Sequence, residues 1–187
     1  MLIPFCMVDG AAHVLLIRRS MEVPFHKGEM AFPGGGEEAS DTDLLATAVR
    51  ETVEELGVSA ADIEPWGRLG TIATTSGYAL TAYTGRLAGR DGLRPDPREV
   101  AEVVPVPLAP LCEGALDRDE TRVVDGVCET RPTYAYNGRV IWGATGRLIA
   151  RLVECLKEIQ APVSAAGIPS PRGSGVLSSS KGGPERV

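Results

Sequence analysis

Apolar and polar positions change period several times along the chain, and each change predicts an element. The apolar blocks "LIPFCMV" and "HVLLIRR" flank Asp9-Gly10, a pair suited to a tight turn, and predict a β-hairpin. From Ser20 to Gly36 the pattern dissolves around Pro24, Pro33 and three consecutive glycines, which predicts loop. Helical spacing then takes over: Leu44, Leu45, Ala48, Val49, Thr52 and Leu56 recur every three or four residues. Ser40 with Asp43 makes a capping-box-like start for this helix, and Gly57 stands where a terminating glycine belongs.

Two strands joined through "TTSGY" are expected between Trp66 and Leu87, followed by the turn-rich "AGRDGLRPDPRE". "VAEVVPVPLAPL" predicts a strand running into a short helical piece, and "TRVVDGVCETRPTYAYNG" two further strands. "IWGATGRLIARLVECLKEI" predicts a second amphipathic helix. Its inner face is Leu148, Ile149, Leu152, Val153, Leu156 and Ile159, its outer face Arg147, Arg151 and Lys157, and Trp142 packs into the core.

The 187 residues suit one domain with an appendage, and a composition 43% hydrophobic and 24% charged can bury a real core. The domain is expected over 1–160. Residues 161–187, rich in Ser, Gly and Pro, carry too little apolar surface to offset their ordering entropy and are expected to be disordered. A net charge of −6 argues against a nucleic-acid or acidic-membrane partner and leaves a small polyanion bound through local Arg, Lys or a cation. Cys6, Cys112, Cys128 and Cys155 lie far apart and away from His13 and His26, which excludes a zinc-ligand spacing and suits a reducing compartment. Without a basic leader or a membrane-length apolar run, the expected location is the cytoplasm; the sequence sets no oligomeric state.

The chemistry concentrates behind the glycines. Glu51, Glu54 and Glu55 crowd the last turns of the first predicted helix. Like charges at that spacing cost roughly 0.2–0.5 kcal/mol per pair, and the negative end of the helix dipole makes the placement worse. A hard cation such as Mg²⁺, which takes carboxylate oxygens and completes its shell with water and phosphate, would offset this repulsion. Arg50, four residues before Glu54, is placed to orient that carboxylate, and the glycines ahead let backbone approach a metal or phosphate closely. Taken alone, E-x-x-E-E also describes a solvated acidic face.

The spacing to the glycines resembles the Nudix hydrolases, whose box is G-x5-E-x7-R-E-U-x-E-E-x-G-U with U a bulky aliphatic residue. Arg50 to Val58 matches its second half, with Thr52 at one U position. In the first half, strict register sets Gly36 at the Gly and Thr42 at the Glu; one extra residue instead sets Gly35 at the Gly and Asp41, five intervening residues on, at the Glu. That departure is similar to the coenzyme A pyrophosphatase branch, whose signature runs approximately L-L-T-x-R-[SA]-x3-R-x3-G-x3-F-P-G-G. Leu15, Leu16, Arg19, Ser20, Gly28 and Phe32 to Gly35 fall in register, while Ile17 replaces the Thr and Pro24 the second Arg. "HKGEMAFPGG", "SGYALTAYTG", "EVAEVVPVPL" and "VIWGATGRLIARL" extend the resemblance from about Leu2 to Leu156.

The resemblance implies an α/β/α sandwich with a mixed central sheet and a Mg²⁺- or Mn²⁺-dependent attack of water on a phosphoanhydride. It assigns the metal to Glu51, Glu54 and Glu55, with the Gly35 carbonyl, and Arg50 to ordering them. The general base is Glu51 or a loop carboxylate such as Glu99. Arg19, His26, Gly34, Gly35 and Tyr78 are the candidates for substrate contact. Four of these residues have a structural alternative: a strand end for Arg19, loop shaping for His26, core packing for Tyr78, a surface carboxylate for Glu99. The implied partner is a small diphosphate: coenzyme A or its acyl derivatives, then ADP-ribose or a dinucleotide. A nucleotide-binding module without turnover is the alternative of another class.

Overall fold

The structure, a computed structural model, describes residues 1–160 apart from 75, 76, 90, 91 and 125; the 161–187 tail lies outside the described residues. The expected hairpin is present. Strands β1 (Leu2–Val8) and β2 (Ala11–Arg19) pair antiparallel with Phe5 opposite Val14. Asp9 (φ 49°) and Gly10 (φ 79°) both turn left-handed, as a type I′ turn requires. The segment read as loop is broken by β3 (Met30–Ala31), which pairs with the end of β2 through Ile17 and Arg18.

Helix α1 (Leu44–Leu56) starts later than the capping-box reading allows. Its N-cap is Asp43, not Ser40: Asp43 is extended (φ −164°, ψ 175°) and its Oδ1 accepts the Ala46 N–H at 2.8 Å. The end is as expected. Gly57 (φ 62°) donates its N–H to the Val53 carbonyl, and a Cβ there would lie 2.0 Å from the Arg94 carbonyl oxygen.

A 3-10 turn (Ala60–Asp62) leads to β4 (Ile63–Ala73) and β5 (Ala79–Leu87), then β6 (Val100–Pro107) and α2 (Leu108–Cys112). The next stretch holds more strand than expected: β7 (Glu120–Val124), β8 (Val127–Arg131) and β9 (Tyr134–Tyr136), with β10 (Arg139–Ile141) beyond. Two short hairpins account for this. One turns at Gly126 (φ 80°) and the other at Asn137-Gly138 (φ 47° and 73°), while Pro132 separates them. Consequently Ile141, read as helix, belongs to β10 opposite Tyr134, and α3 runs over Gly143–Gln160. Leu148, Ile149, Leu152 and Val153 face the core as expected, but Ile159 projects into solvent at the helix end.

The main sheet is mixed. Its order is β3-β2-β1-β5-β4, with β6 on the other edge of β2; β1 and β5 run parallel and the remaining pairs antiparallel. Side chains alternate across it. Leu2, Leu15 and Ile17 pack with Ala48 and Leu56 of α1 on one face. Ile3, Val14 and Leu16 pack with Leu111 of α2 and Leu148 and Ile149 of α3 on the other. The result is an α/β/α sandwich. Full burial of each such aliphatic side chain contributes about 1.5–3 kcal/mol, so both helical layers are fixed to the sheet mainly by these contacts. Among the described residues no helix is long and apolar enough to cross a membrane.

Candidate active site

The sheet brings three chain segments to one end of α1. Between Arg18 and Arg19 the register of β2 against β6 shifts, and such irregularities re-aim side chains. Arg18 pairs with Glu102 across the strands at 3.3 Å, and Arg139 binds the same carboxylate, so Arg18 is a structural cation. Arg19 instead reaches Glu55, with Nη1 at 3.5 Å from Oε1. Its Nε is buried without a hydrogen-bond partner.

Glu55 is the most deeply placed of the three box carboxylates, 1% exposed. The Gly34 N–H donates to its Oε2 at 2.9 Å. Burial raises its pKa to about 7, opposed by Gly34 and Arg19 and reinforced by Glu51 and Glu99. Glu51 stands next to it against the glycine loop: a Cβ on Gly35 would lie 2.4 Å from the Glu51 carboxyl carbon. Its pKa is also raised, by burial first, with Glu54 and Glu99 adding to the shift and Arg50 opposing it. Glu54 projects outward and is half exposed.

Arg50 organises the outer part of this site. Its Nη1 donates to Glu51 Oε1 at 2.9 Å and to Glu54 Oε2 at 3.1 Å, while Nη2 donates to the Gly36 carbonyl at 2.9 Å. Asp41 takes the remaining side of the guanidinium: Nε donates to Oδ1 at 3.0 Å and Nη2 to Oδ2 at 3.1 Å. The Thr47 hydroxyl and the Glu38 N–H also donate to Asp41 Oδ2, both at 2.9 Å. With Arg50 as the main cause, the Asp41 carboxyl is held well below the usual carboxylate range, and the guanidinium is pushed up in turn.

The three glutamates therefore do not form one cluster. Glu55 faces inward to Gly34 and Arg19, Glu51 faces Gly35, and Glu54 faces Arg50 and solvent. Among the described residues, no group of three His, Cys, Asp or Glu side chains converges closely enough to hold a metal ion. The helix period explains the spread: positions 51, 54 and 55 occupy neighbouring but distinct directions on a helix whose inner face is buried.

Glu99 precedes β6, where its carbonyl accepts the Ser20 N–H at 2.7 Å. Its charge raises the pKa values of both Glu51 and Glu55, so it borders the same site. His26 is left-handed (φ 59°) and its Nδ1 lies 3.1 Å from Glu29 Oε2, within hydrogen-bonding distance. Arg19, His26 and Gly34 line a cleft of about 1130 Å³ between α3, the ends of β4 and β5, and the β7–β8 hairpin. Tyr78 is outside it: the ring is 75% exposed and neither core nor cleft wall. Trp142, expected in the core, is half exposed and lines the cleft, because the preceding Ile141 takes the buried position.

The sequence sets Asp41 at the first Glu position of the box but gives it no role, which the structure supplies in its hold on the Arg50 guanidinium. Sequence reasoning passed over Trp142 and Arg147 as cleft residues, for which no local pattern exists.

The family model of the NUDIX domain matches residues 3–123. An uncharacterised Nudix hydrolase (NudL) of Photorhabdus laumondii is 32% identical over 145 residues, 75% of this chain and 75% of that protein. The mitochondrial coenzyme A diphosphatase NUDT8 of Mus musculus is 33% identical over 149 residues, 77% of this chain and 70% of that protein. Among solved structures, a C. elegans Ap4A hydrolase binary complex superposes with a TM-score of 0.55 at 16% identity, covering 84% of this chain and 96% of that one. The NUDIX domain of Shewanella oneidensis NrtR, complexed with ADP ribose, gives 0.54 at 20% identity over 83% and 84% of the two chains. At these identities the structural likeness concerns the fold.

Proposed function

The chain belongs to the Nudix hydrolase family, and from that premise we propose that it hydrolyses the phosphoanhydride of coenzyme A or acyl-coenzyme A to 3′,5′-ADP and (acyl-)4′-phosphopantetheine. The observation that carries this reading is the pairing of Glu55 with Gly34 and Arg19 at the head of the cleft. The glycine belongs to "HKGEMAFPGG" and the arginine to "LLIRRS", the two segments that match the coenzyme A branch. The likeness to a protein named as a coenzyme A diphosphatase supports the same choice.

Mg²⁺ or Mn²⁺ fits the oxygen donors present. In a partly desolvated site Glu51 and Glu99 raise the pKa of Glu55, and Glu54 and Glu99 that of Glu51, a repulsion that a divalent cation reverses. Glu51 and Glu55 would hold it, with Glu54 as the exposed third carboxylate and the Gly35 carbonyl as a backbone donor. When bound, the cation neutralises the diphosphate and lowers the pKa of attacking water.

The chain's own residues do the rest. Arg19, with an unpartnered Nε beside the cleft, binds a phosphate oxygen of the substrate. Arg50, fixed by Asp41, holds Glu51 and Glu54 in orientation. Glu99, bordering Glu51 and Glu55, accepts the proton of the water. The water oxygen forms the new P–O bond, the bridging P–O bond breaks, and the second phosphate leaves as an anion.

The test is a substrate panel with Mg²⁺ or Mn²⁺: coenzyme A, an acyl-coenzyme A, ADP-ribose and a dinucleotide, with products identified by mass. Phosphopantetheine and 3′,5′-ADP from the first two are expected. An enzyme that ignores coenzyme A while cleaving ADP-ribose or the dinucleotide would refute the substrate assignment. Specific binding without turnover on every compound would make the protein a nucleotide-binding module.

A further inference from the structure

The charges of the cleft are unevenly satisfied. Four arginines line it: Arg19, Arg131, Arg147 and Arg151. Arg19 pairs with Glu55 at 3.5 Å, Arg131 with Glu129 at 3.2 Å, and Arg151 with Glu154 at 2.5 Å. Arg147 differs from all three. It is exposed on the second turn of α3, its Nη1 donates to the Ala73 carbonyl at 2.7 Å, and among the described residues no carboxylate pairs with it.

A backbone carbonyl positions a guanidinium without neutralising it. Arg147 thus keeps its full charge and most of its five N–H donors for an incoming anion. Apolar side chains share the cleft with it, among them Ile72, Leu80 and the half-exposed indole of Trp142, while Glu29, Glu120, Glu129 and Glu154 line it too. Aromatic and aliphatic surface next to an unneutralised guanidinium matches a ligand that carries a flat base and a phosphate together.

We infer that Arg147 is a specificity-determining residue, which binds a phosphate monoester on the nucleoside half of the substrate, distinct from the diphosphate that is cleaved. In the reading proposed above, on which this inference rests, that group is the 3′-phosphate. The anchor at Ala73, the last residue of β4, ties the arginine to the sheet and so fixes the distance from this second phosphate to the catalytic end of α1.

The test compares wild type with Arg147→Gln and Arg147→Lys. Each protein is titrated calorimetrically with 3′,5′-ADP and with 5′-AMP in Mg²⁺, and kcat and KM are measured for coenzyme A and dephospho-coenzyme A. Wild type should bind 3′,5′-ADP about tenfold or more tightly than AMP. Arg147→Gln should bind the two alike, and Arg147→Lys, which keeps the charge but not the fork, should fall between them. The loss for coenzyme A should appear in KM, with dephospho-coenzyme A and the melting temperature unchanged. Equal affinities in wild type, a preference surviving in Arg147→Gln, or equal losses on both substrates would overturn the inference. Absence of coenzyme A turnover would refute the substrate assignment instead, while the nucleotide titrations still decide the role of Arg147.

Discussion

Asp41 grips Arg50 with both carboxylate oxygens, Oδ1 on Nε at 3.0 Å and Oδ2 on Nη2 at 3.1 Å. This leaves Nη1 as the donor to Glu51 and Glu54. Through Arg50, one carboxylate therefore sets the orientation of two others, the relation by which supporting residues tune a metal site.

Asp41→Asn should lower metal affinity or kcat by roughly 10–100-fold, the usual cost of removing such a support. Asp41→Glu restores the charge with one methylene too many and should recover part of the loss. Metal titrations on both variants, followed by rate measurements at saturating Mg²⁺, separate affinity from kcat. Wild-type behaviour in Asp41→Asn would show that Arg50 needs no such partner.

The pH dependence of stability should run against the common trend for carboxylates. Burial raises Glu55 from 4.5 to about 7, so between those values the folded protein holds a proton that the unfolded chain has released. Stability of the metal-free protein should fall as pH rises through this window, by on the order of 3 kcal/mol from Glu55. Glu51, shifted in the same direction, adds to the slope. Asp41, shifted the other way, loses its contribution only on acidification below its usual range, outside this window. Glu55→Gln should flatten the profile and melt higher than wild type at pH 8. Added Mg²⁺ should raise the wild-type melting temperature more than that of the variant. A wild-type melting temperature that climbs from pH 5 to pH 7 without metal would contradict the assignment.

Gly35→Ala and Gly57→Ala should separate activity from stability. At Gly35 the new Cβ meets the end of the flexible Glu51 side chain, which can swing away. Activity should drop at least tenfold, on the order of 1.4 kcal/mol of transition-state stabilisation, with little change in melting temperature. At Gly57 the Cβ meets the Arg94 backbone carbonyl and the residue is left-handed. The backbone conformation alone costs about 1–2 kcal/mol, so that variant should melt several degrees lower. Thermal melts and rates on the pair decide the matter, and a destabilised Gly35→Ala would mean that Glu51 is rigidly fixed.

Among the box carboxylates, Glu54→Gln should be the mildest. Glu54 is half exposed and held by Arg50, and water can replace an exposed ligand of a hard cation. Glu51→Gln and Glu55→Gln should each cost more in kcat/KM. A Glu54 variant as impaired as the other two would place its carboxylate closer to the reacting phosphate than its present orientation implies.

What the sequence determined on its own was local. Asp9-Gly10 dictated a turn, apolar period dictated α1 and most of α3, and Gly57 dictated where α1 stops, because these depend on backbone preferences and on which face can be buried. The resemblance gathered Arg19, the glycines and the three glutamates into one expected site, and the fold it implied is the fold observed. Tertiary structure decided what spacing along the chain cannot encode. It separated the glutamates into a buried Glu55, a loop-facing Glu51 and a solvent-facing Glu54, since their surroundings come from β2, the glycine loop and water respectively. It turned Arg18 to Glu102 and Arg19 to Glu55 through a shift of register invisible in "LLIRRS". It moved Trp142 out of the core and set Arg147 against Ala73, 74 residues away in the chain, because a cleft wall is assembled from elements that meet only after the sheet has formed.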